Sequence, residues 1–415
     1  MNLDLRLITF ILAGGEGRRL SPLNHSYPKP LMPFGCDRRL IDFALSNCAN
    51  SGVRQGWLLT QYKSELIHDY VDRAWNQEDD FFMPLPPSPG QRYNGTADAV
   101  LKNAGLWAEG RADFVLVLSS DHVYRMDYRS LVEHHMRAGA EVTVATVEMD
   151  PGMSQHFGVV ESDSQQRIVG FKEKPRAKVH CARPRITVSM GVYLFNAALL
   201  TKLAGSVSGL CDFGRDVLPA LIGSHRVSEY RFQDTRTREP LYWRDLGTIK
   251  TYFDANMDLL AEHPPDGRPE ASWRKKAQSI ISDSARVAGA RIFHSVITPG
   301  VVVEPGAKVS HSVLLPGSYI GHGATISDAI VDECASVAAD DRIGFKAEND
   351  RARFTVDDSG IVVVQRTIPA NEHPMWSATA NVNRRVRTIV PVKPEGRRKT
   401  NTHPALILKF PGGGE

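Results

Sequence analysis

The first 150 residues alternate short apolar, β-branched runs with a segment whose apolar residues recur at helical spacing. Runs at 7–13, 56–60, 114–118 and 141–147 predict strands, and 41–52 predicts a helix that ends at a glycine. Uninterrupted apolar runs are typical of strands buried on both faces. The alternation predicts an α/β, doubly wound, Rossmann-like domain with a mostly parallel sheet, whose ligands bind at the carboxyl ends of the strands.

A different pattern begins near residue 281. Gly-Ala pairs recur with a period of 17 at 289, 306 and 323, and β-branched residues recur about every six positions between them. Three copies in register predict a parallel β-helix of hexapeptide-like coils over 281–364. A run of ordinary hairpins is the alternative. Because solenoids of this kind usually serve a structural purpose, we expect this one to mediate oligomerisation rather than catalysis.

Length and composition agree with a globular protein of two domains and an appendage. The chain has 415 residues, of which 42% are hydrophobic and 23% charged, so disordered, collagen-like and fibrous classes are excluded. A turn-rich stretch predicts a linker at 264–280 between a domain at 1–263 and the β-helix. The net charge of +3 comes from a basic C-terminal extension at 365–415, which carries nine Lys or Arg and three acids. The charge therefore gives no reason to expect a nucleic-acid partner.

Cysteines and apolar stretches predict the cellular setting. The five cysteines are widely spaced and form no CxxC, which argues against a disulfide framework and a structural zinc site. The longest apolar stretch, 7–13, is far shorter than the ~20 residues of a membrane span. We therefore expect a cytoplasmic protein without a signal peptide or membrane anchor.

A glycine-rich segment, LAGGEGRRL at 12–20, follows the first strand. Glycines leave backbone N–H groups free to bind phosphate oxygens, and Arg19 and Lys29 supply positive charge nearby. The spacing matches neither GxxxxGK[ST] nor GxGxxG, and a merely tight turn after the strand is the alternative. The basic residues, with Lys29 between two prolines, favour a nucleoside-triphosphate site.

Two aspartates are candidate ligands of Mg²⁺. Asp121 directly follows the strand at 114–118, and Asp245 lies in YWRDLGT. Mg²⁺ commonly takes one or two carboxylates together with substrate oxygens. A helix cap is the alternative for Asp121, and the spacing alone does not pair the two residues.

The segment FKEKP at 171–175 places two opposite charges side by side. Strand alternation predicts that Glu173 and Lys174 point to opposite faces, so that one of them faces a cleft. A solvated edge strand is the alternative, because charges on edge strands prevent unwanted pairing.

Taken together, these motifs carry a family resemblance. The chain is similar, over roughly residues 6–364, to the bacterial ADP-glucose pyrophosphorylases, also called glucose-1-phosphate adenylyltransferases, including their left-handed β-helix. The resemblance rests on motifs in the family's order: LAGGEGRRL, IDFALSNC, TQYKS, GTADAV, DHVYRMD, FGVV, FKEKP, SMGVYLF, DFGRDVLP and YWRDLGT.

The resemblance implies a homotetrameric nucleotidyltransferase that uses Mg²⁺, transfers the nucleotidyl group of a nucleoside triphosphate to a sugar 1-phosphate and releases pyrophosphate. It implies catalytic roles for Arg19, Lys29 and Asp121, and a metal site at Asp121 and Asp245.

The resemblance also implies which residues bind the two substrates. The residues implied in nucleotide binding are Leu12, Ala13, Gly14, Gly15, Tyr93, Gly95 and Thr96. The residues implied in sugar-phosphate binding are Gly158, Glu173, Lys174, Ser189 and Asp212.

The chain departs from the family at three places. Gln91-Arg92 directly precedes Tyr93, where the family has a longer loop. Ser119-Ser120 precede Asp121, where the family usually has Ala or Gly. The segment 24–28 lacks the lysine that binds an activator in enteric members. We expect ATP and α-D-glucose 1-phosphate as substrates, for glycogen or α-glucan synthesis. A paralogue for another sugar or pseudo-sugar 1-phosphate, or for GTP or another nucleotide, is the alternative. A non-catalytic regulatory subunit would not need Lys29, Asp121, Lys174 and Asp245 together.

Overall fold

The computed structural model describes residues 5–76, 81–108, 110–176, 184–206, 209–261, 273–366 and 406–408. Residues 264–272 of the predicted linker and most of the predicted C-terminal extension lie outside these ranges. Among the described residues, none of the helices combines the length and the apolar character needed to cross a bilayer.

The N-terminal part of the chain contributes thirteen strands and seven α-helices to the first domain among the described residues. The strands are β1 (Leu5–Ala13), β2 (Pro33–Phe34), β3 (Arg38–Arg39), β4 (Gln55–Thr60), β5 (Phe81–Leu85), β6 (Phe114–Ser119), β7 (His122–Tyr124), β8 (Val142–Met149), β9 (Gly158–Ser162), β10 (Ile168–Glu173), β11 (Ile186–Asn196), β12 (Val227–Arg231) and β13 (Trp243–Asp245). The helices are α1 (Ile41–Asn50), α2 (Ser64–Ala74), α3 (Thr96–Leu101), α4 (Tyr128–Arg137), α5 (Ala197–Ser206), α6 (Leu218–Leu221) and α7 (Ile249–Asp258).

These elements confirm the four strands and the helix that the apolar pattern predicts. The sheet is parallel at its centre, where the order is β5-β4-β1-β6. Beyond β6 it differs from the predicted mostly parallel sheet, because the long strand β11 runs antiparallel to β6, β8 and β9. Apolar clusters cover both faces of the sheet, which explains why its central strands lack polar alternation. The carboxyl ends of β1 and β6 lie side by side.

The second domain is a parallel β-helix with three faces, in agreement with the predicted left-handed β-helix. Its elements are β14 (Trp273–Lys276), β15 (Ser279–Ser282), β16 (Arg291–Phe293), β17 (Val296–Ile297), β18 (Val302–Val303), β19 (Lys308–Ser310), β20 (Val313–Leu314), β21 (Tyr319–Ile320), β22 (Thr325–Ser327), β23 (Ala329–Val331), β24 (Ser336–Val337), β25 (Arg342–Ile343), α8 (Ala347–Arg353), β26 (Thr355–Val356) and β27 (Val362–Val364). One face has the order β15-β17-β20-β23-β27, the second β16-β19-β22-β25 and the third β18-β21-β24, with β14 and β26 antiparallel at the ends of the first.

The backbone conformation of the coils explains the repeated glycines. Gly289, Gly306 and Gly323 turn the chain at φ angles of 78°, 77° and 68°, a region that residues with a Cβ rarely adopt. The domain also begins earlier than the sequence predicts, because β14 pairs with β15 from Trp273 onward. The predicted linker at 264–280 is therefore shorter at its C-terminal end.

One segment of the C-terminal extension belongs to the first domain. Strand β28 (Leu406–Leu408) pairs antiparallel with the first residues of β1. The extension therefore returns to the amino end of the central sheet, at the edge opposite the carboxyl ends of the parallel strands.

An apolar cluster joins the two domains. In β17 and β20 one residue points into the β-helix and its neighbour packs against the first domain, and in β23 the middle residue packs against the first domain while the two beside it point inward. The outward residues Val296, Val313 and Ile330 share a buried cluster with Phe253 of α7 and Leu246. The first face of the β-helix is thus buried on both sides, which explains its apolar pairs.

Buried charges border this cluster. Glu333, in the turn after β23, lies 3.1 Å from the Arg39 guanidinium of the first domain. Asp332 and Glu333 lie 3.6 and 3.7 Å from the guanidinium of Arg366. Burial raises the pKa of Asp332 to about 7, with Arg366 lowering it and Glu333 raising it.

Phe253→Ala should destabilise both domains together. The ring is 2% exposed inside the shared cluster, so its removal leaves a cavity and costs about 3–5 kcal/mol. Urea unfolding followed by tryptophan fluorescence would measure the loss. Val169→Ala, at a side chain that is 55% exposed, is the control and should change stability by less than about 0.5 kcal/mol. A Phe253→Ala protein as stable as the Val169→Ala protein would contradict the shared core.

Asp332→Asn should flatten the pH dependence of stability between about pH 4 and pH 7. The folded-state pKa of about 7 exceeds the value near 3.9 of an unfolded aspartate, so the folded state binds the proton more tightly. This contribution to stability is complete below about pH 4 and is lost as the pH rises to about 7. Free energies of unfolding measured at several pH values would reveal the difference. An unchanged slope in the variant would contradict the assignment.

Candidate active site

The two predicted metal ligands meet at the carboxyl end of β6. Asp121 lies between β6 and β7, and β7 pairs antiparallel with β13 so that Asp245 lies opposite His122. One ligand atom from each of Asp121, His122 and Asp245 lies within 4.8 Å of the other two. A ladder between two three-residue strands therefore brings together the carboxylates that sequence spacing could not pair.

Lys29 lies between these carboxylates. Its Nζ donates to Asp121 Oδ2 at 2.7 Å and to Asp245 Oδ1 at 3.1 Å, and its side chain is 9% exposed. Lys29 lies between Pro28 and Pro30 and is the first residue of a short 3-10 turn, Lys29–Leu31. Because proline fixes φ, the backbone that carries the ammonium is stiff on both sides.

The ion pair outweighs the cost of burial in both partners. Burial lowers the pKa of Lys29, but the carboxylates of Asp121 and Asp245 raise it above its usual value. Burial raises the pKa of Asp121, but Lys29 and His122 bring it well below its usual range. At neutral pH the cluster therefore contains an ammonium and an ionised Asp121 carboxylate.

The donor set fits a divalent cation. Asp121 and Asp245 offer the carboxylate oxygens that Mg²⁺ prefers. His122 adds a nitrogen, with Nε2 at 3.4 Å from Asp121 Oδ1 and 3.8 Å from Asp245 Oδ1. Its ring packs edge-on against Trp243 of β13. Sequence analysis missed His122, and its position next to Asp121 in DHVYRMD was the available signal.

Arg19 reaches the edge of this cluster from the glycine-rich loop. A Cβ added to Gly247 would lie 2.9 Å from an Arg19 guanidinium nitrogen and 3.3 Å from Asp245 Oδ2. Gly247 therefore leaves room for the guanidinium beside Asp245. Arg19 is exposed, so a ligand can reach its guanidinium from solvent.

The glycine-rich loop leaves the sheet at the end of β1. The carbonyl of Leu12 accepts hydrogen bonds from the backbone and hydroxyl of Ser120, and Ala13 is buried. A Cβ on Gly15 would meet open space, whereas one on Gly14 would touch Gln61. Leu12 and Ala13 therefore anchor the loop, and the space beside Gly15 is open.

Gln61 connects this loop to Tyr93. Its side-chain oxygen accepts from the Tyr93 backbone N–H at 2.7 Å, and its amide donates to the Tyr93 carbonyl at 3.4 Å. The Tyr93 hydroxyl donates to the Leu85 carbonyl at 3.1 Å, so the ring is tied to the end of β5. Gln61, in TQYKS, is a second residue that sequence analysis did not assign to the site.

Thr96 and Asp212 touch, although the resemblance assigns them to different substrates. The Thr96 hydroxyl donates to Asp212 Oδ2 at 3.0 Å, and Asp212 Oδ1 accepts from the N–H groups of Gly214 and Arg215. A side chain at Gly95 would overlap the Cys211 carbonyl. The GTADAV and DFGRDVLP segments therefore form one packed unit.

Glu173 and Lys174 lie together, so the predicted alternation is wrong at this point. Strand β10 ends at Glu173, and Lys174 adopts a left-handed backbone with φ of 42°. Its ammonium turns back to within 3.3 Å of Glu173 Oε1 and is 57% exposed. Side chains at Gly158 or Gly214 would collide with Glu173, so these two glycines shape the cradle of its carboxylate.

Ser189 connects this region to the metal-ligand candidates. Its hydroxyl accepts from the Gly191 backbone N–H at 3.2 Å and donates to the Tyr193 hydroxyl at 3.3 Å. Gly191 has φ of 68°, and a Cβ there would lie 2.9 Å from Ser119 Oγ and 3.3 Å from the His122 ring.

The predicted site residues therefore form three groups. The first comprises Arg19, Lys29, Asp121 and Asp245, and the second comprises Leu12, Ala13, Gly14, Gly15 and Tyr93, bridged by Gln61. The third comprises Gly95, Thr96, Gly158, Glu173, Lys174 and Asp212, and Ser189 lies between it and the first. The first two groups include residues at the adjacent carboxyl ends of β1 and β6, where the fold predicts ligands.

Comparisons with known proteins identify the family of both domains. The family model "Nucleotidyl transferase" matches residues 8–262, and the model "GlmU-like, C-terminal hexapeptide" matches residues 269–364. The chain is 34% identical to the glucose-1-phosphate adenylyltransferase of Koribacter versatilis, over 88% of this chain and 96% of that protein. It is 36% identical to glucose-1-phosphate adenylyltransferase 2 of Vibrio cholerae, over 86% and 97%. It is 38% identical to the glucose-1-phosphate adenylyltransferase of Anaeromyxobacter dehalogenans, over 87% of this chain and 98% of that protein.

These matches cover both domains and nearly the whole length of each relative. A nucleotidyl transferase domain that carries a basic, carboxylate-lined site, followed by a hexapeptide β-helix, is the arrangement that the sequence motifs predict. The chain belongs to the glucose-1-phosphate adenylyltransferase family of nucleotidyl transferases.

Proposed function

We propose that the chain transfers the adenylyl group of ATP to α-D-glucose 1-phosphate and releases pyrophosphate, making ADP-glucose for α-glucan synthesis. The observation that carries the proposal is the Lys29 ammonium between Asp121 and Asp245, at the sheet edge where the glycine-rich loop begins. The names of the family members supply the substrates.

The residues suit a reaction between two polyanions. A phosphate oxygen of the sugar phosphate attacks the α-phosphorus in line, and the bond to pyrophosphate breaks on the far side. The attacking oxygen is already an anion, so no general base is needed. Holding the reactants in line and stabilising the developing charge supply the catalysis.

Each group has a part in that task. Arg19 and the backbone of Gly14 and Gly15 bind the triphosphate, and Lys29 follows the charge of the leaving pyrophosphate as a point charge. Glu173 and Lys174 hold the sugar phosphate. Asp121 and Asp245 would hold Mg²⁺, which neutralises phosphate charge when bound.

One observation favours a second candidate. Ser119 places a hydroxyl against Gly191, on the path from Ser189 to the metal-ligand candidates, and Ser120 binds the Leu12 carbonyl of the nucleotide loop. An added hydroxyl gives a polar contact that a small apolar residue lacks. Another sugar or pseudo-sugar 1-phosphate, or another nucleotide such as GTP, is therefore the alternative with the same chemistry.

We infer that the protein is a cytoplasmic homotetramer and that it acts without a nucleic-acid or membrane partner. The four cysteines that the structure describes are free thiols, which suits a reducing compartment. The β-helix leaves Phe293, Tyr319 and Phe345 exposed, and apolar side chains of this size suit contacts between subunits.

A substrate panel tests the proposed reaction. ATP, GTP, UTP and dTTP are each paired with glucose 1-phosphate and with other sugar 1-phosphates, and pyrophosphate release gives initial rates. We expect the highest kcat/KM for ATP with glucose 1-phosphate. Turnover only with another pair would establish the alternative, and no turnover with any pair would refute both.

Asp121→Asn should abolish the metal-dependent rate and leave the fold intact. The amide keeps the shape but loses the charge that holds Lys29 and a cation, so we expect kcat to fall at least about 10³-fold. Asp127→Asn is the matched control, because Asp127 caps α4 and asparagine caps as well as aspartate. An Asp121→Asn enzyme with the rate of the control would refute the role of Asp121.

A further inference from the structure

Glu333 places a buried carboxylate of the β-helix against the first domain. It follows β23, its side chain is 0% exposed, and it lies between two guanidinium groups, those of Arg39 at 3.1 Å and Arg366 at 3.7 Å. A buried carboxylate needs such partners. Arg39 belongs to β3 of the first domain, so the pair crosses the domain boundary.

Arg39 in turn holds the segment that carries Lys29. Its second guanidinium nitrogen donates to the Leu31 carbonyl at 2.8 Å, and its guanidinium carbon lies 5.1 Å from the centre of the Tyr27 ring. Arg366 contacts the same ring at 4.9 Å. Tyr27 and Leu31 flank Lys29 by two residues on either side, so Arg39 contacts both ends of the lysine turn.

The turn can transmit a displacement of these ends. Pro28 and Pro30 fix the φ angles beside Lys29, so a shift at Tyr27 or Leu31 moves the turn as a unit. The Lys29 ammonium sits at 2.7 and 3.1 Å from two carboxylates, and small displacements change such short charged contacts strongly.

We propose that Glu333 is a positioning residue for the reaction, because it fixes Arg39 and thereby the turn that presents Lys29. The inference rests on the proposed function. It gives the β-helix a part in catalysis beyond the assembly role that the sequence predicts for it. Arg366, near the start of the C-terminal extension, contributes to the same positioning because it contacts Glu333.

Glu333→Gln tests this role by removing the charge while keeping the shape. We expect kcat/KM for the nucleotide to fall about tenfold, because residues of one network of charged contacts commonly depend on each other to about this extent. The matched control is Asp341→Asn, which breaks the surface pair of Asp341 with Arg353 in the same domain and should leave the kinetics unchanged. Glu333→Gln kinetics equal to those of the control would overturn the proposal.

A double-mutant cycle separates positioning from general stability. Glu333→Gln is combined with Lys29→Gln, and calorimetry gives the nucleotide dissociation constant of each protein without requiring turnover. If Glu333 acts through Lys29, its loss should weaken binding less than about twofold once Lys29 is absent. Equal, additive losses in both backgrounds would assign Glu333 to structure alone.

Arg39→Lys provides a second route if Glu333→Gln fails to fold. Lysine keeps the positive charge opposite Glu333, but its single ammonium lacks the planar guanidinium that contacts the carboxylate, the Leu31 carbonyl and the Tyr27 ring at once. The same kinetic loss is expected, and kinetics of the original chain would refute the inference. A chain that turns over no substrate pair would fail the proposed function instead, so the two failures are distinguishable.

Discussion

The site depends on one ammonium group held between two carboxylates. Asp121 and Asp245 would repel each other if they were brought together alone in a half-buried site, and Lys29 makes their proximity favourable. The same two carboxylates are the ones that would hold the cation of the proposed reaction. Binding of a cation and of phosphates would therefore change the charge balance around Lys29.

Much of the fold was predictable because its signals are local. Apolar runs at 7–13 and 114–118 specify buried strands, and the 17-residue period specifies the coils of the β-helix. The pairing of Asp121 with Asp245 was not predictable from the sequence, because β7 and β13 have only three residues each and show no periodic pattern. Lys29 and Asp245 are 216 positions apart, and only the folded chain shows that they touch.

The site residues show the same limit at a finer scale. Strand alternation predicts opposite faces for Glu173 and Lys174, but it holds only while the strand continues, and Lys174 lies one residue past its end. The sequence shows glycines at 95 and 158 but not the Cys211 carbonyl and the Glu173 carboxylate that require them. Gln61 and His122 carry no motif of their own, and their partners come from distant segments.

The apolar cluster shared by the two domains has a consequence for biosynthesis. When the ribosome has released residues 1–261, the first domain is already long enough to fold, but Phe253 and its neighbours still lack their cover. That surface is closed only as the coils up to Val364 are added one by one. The nascent chain thus passes through a stage with an exposed apolar face, at which chaperone binding or assembly with the wrong partner competes with completion of the enzyme.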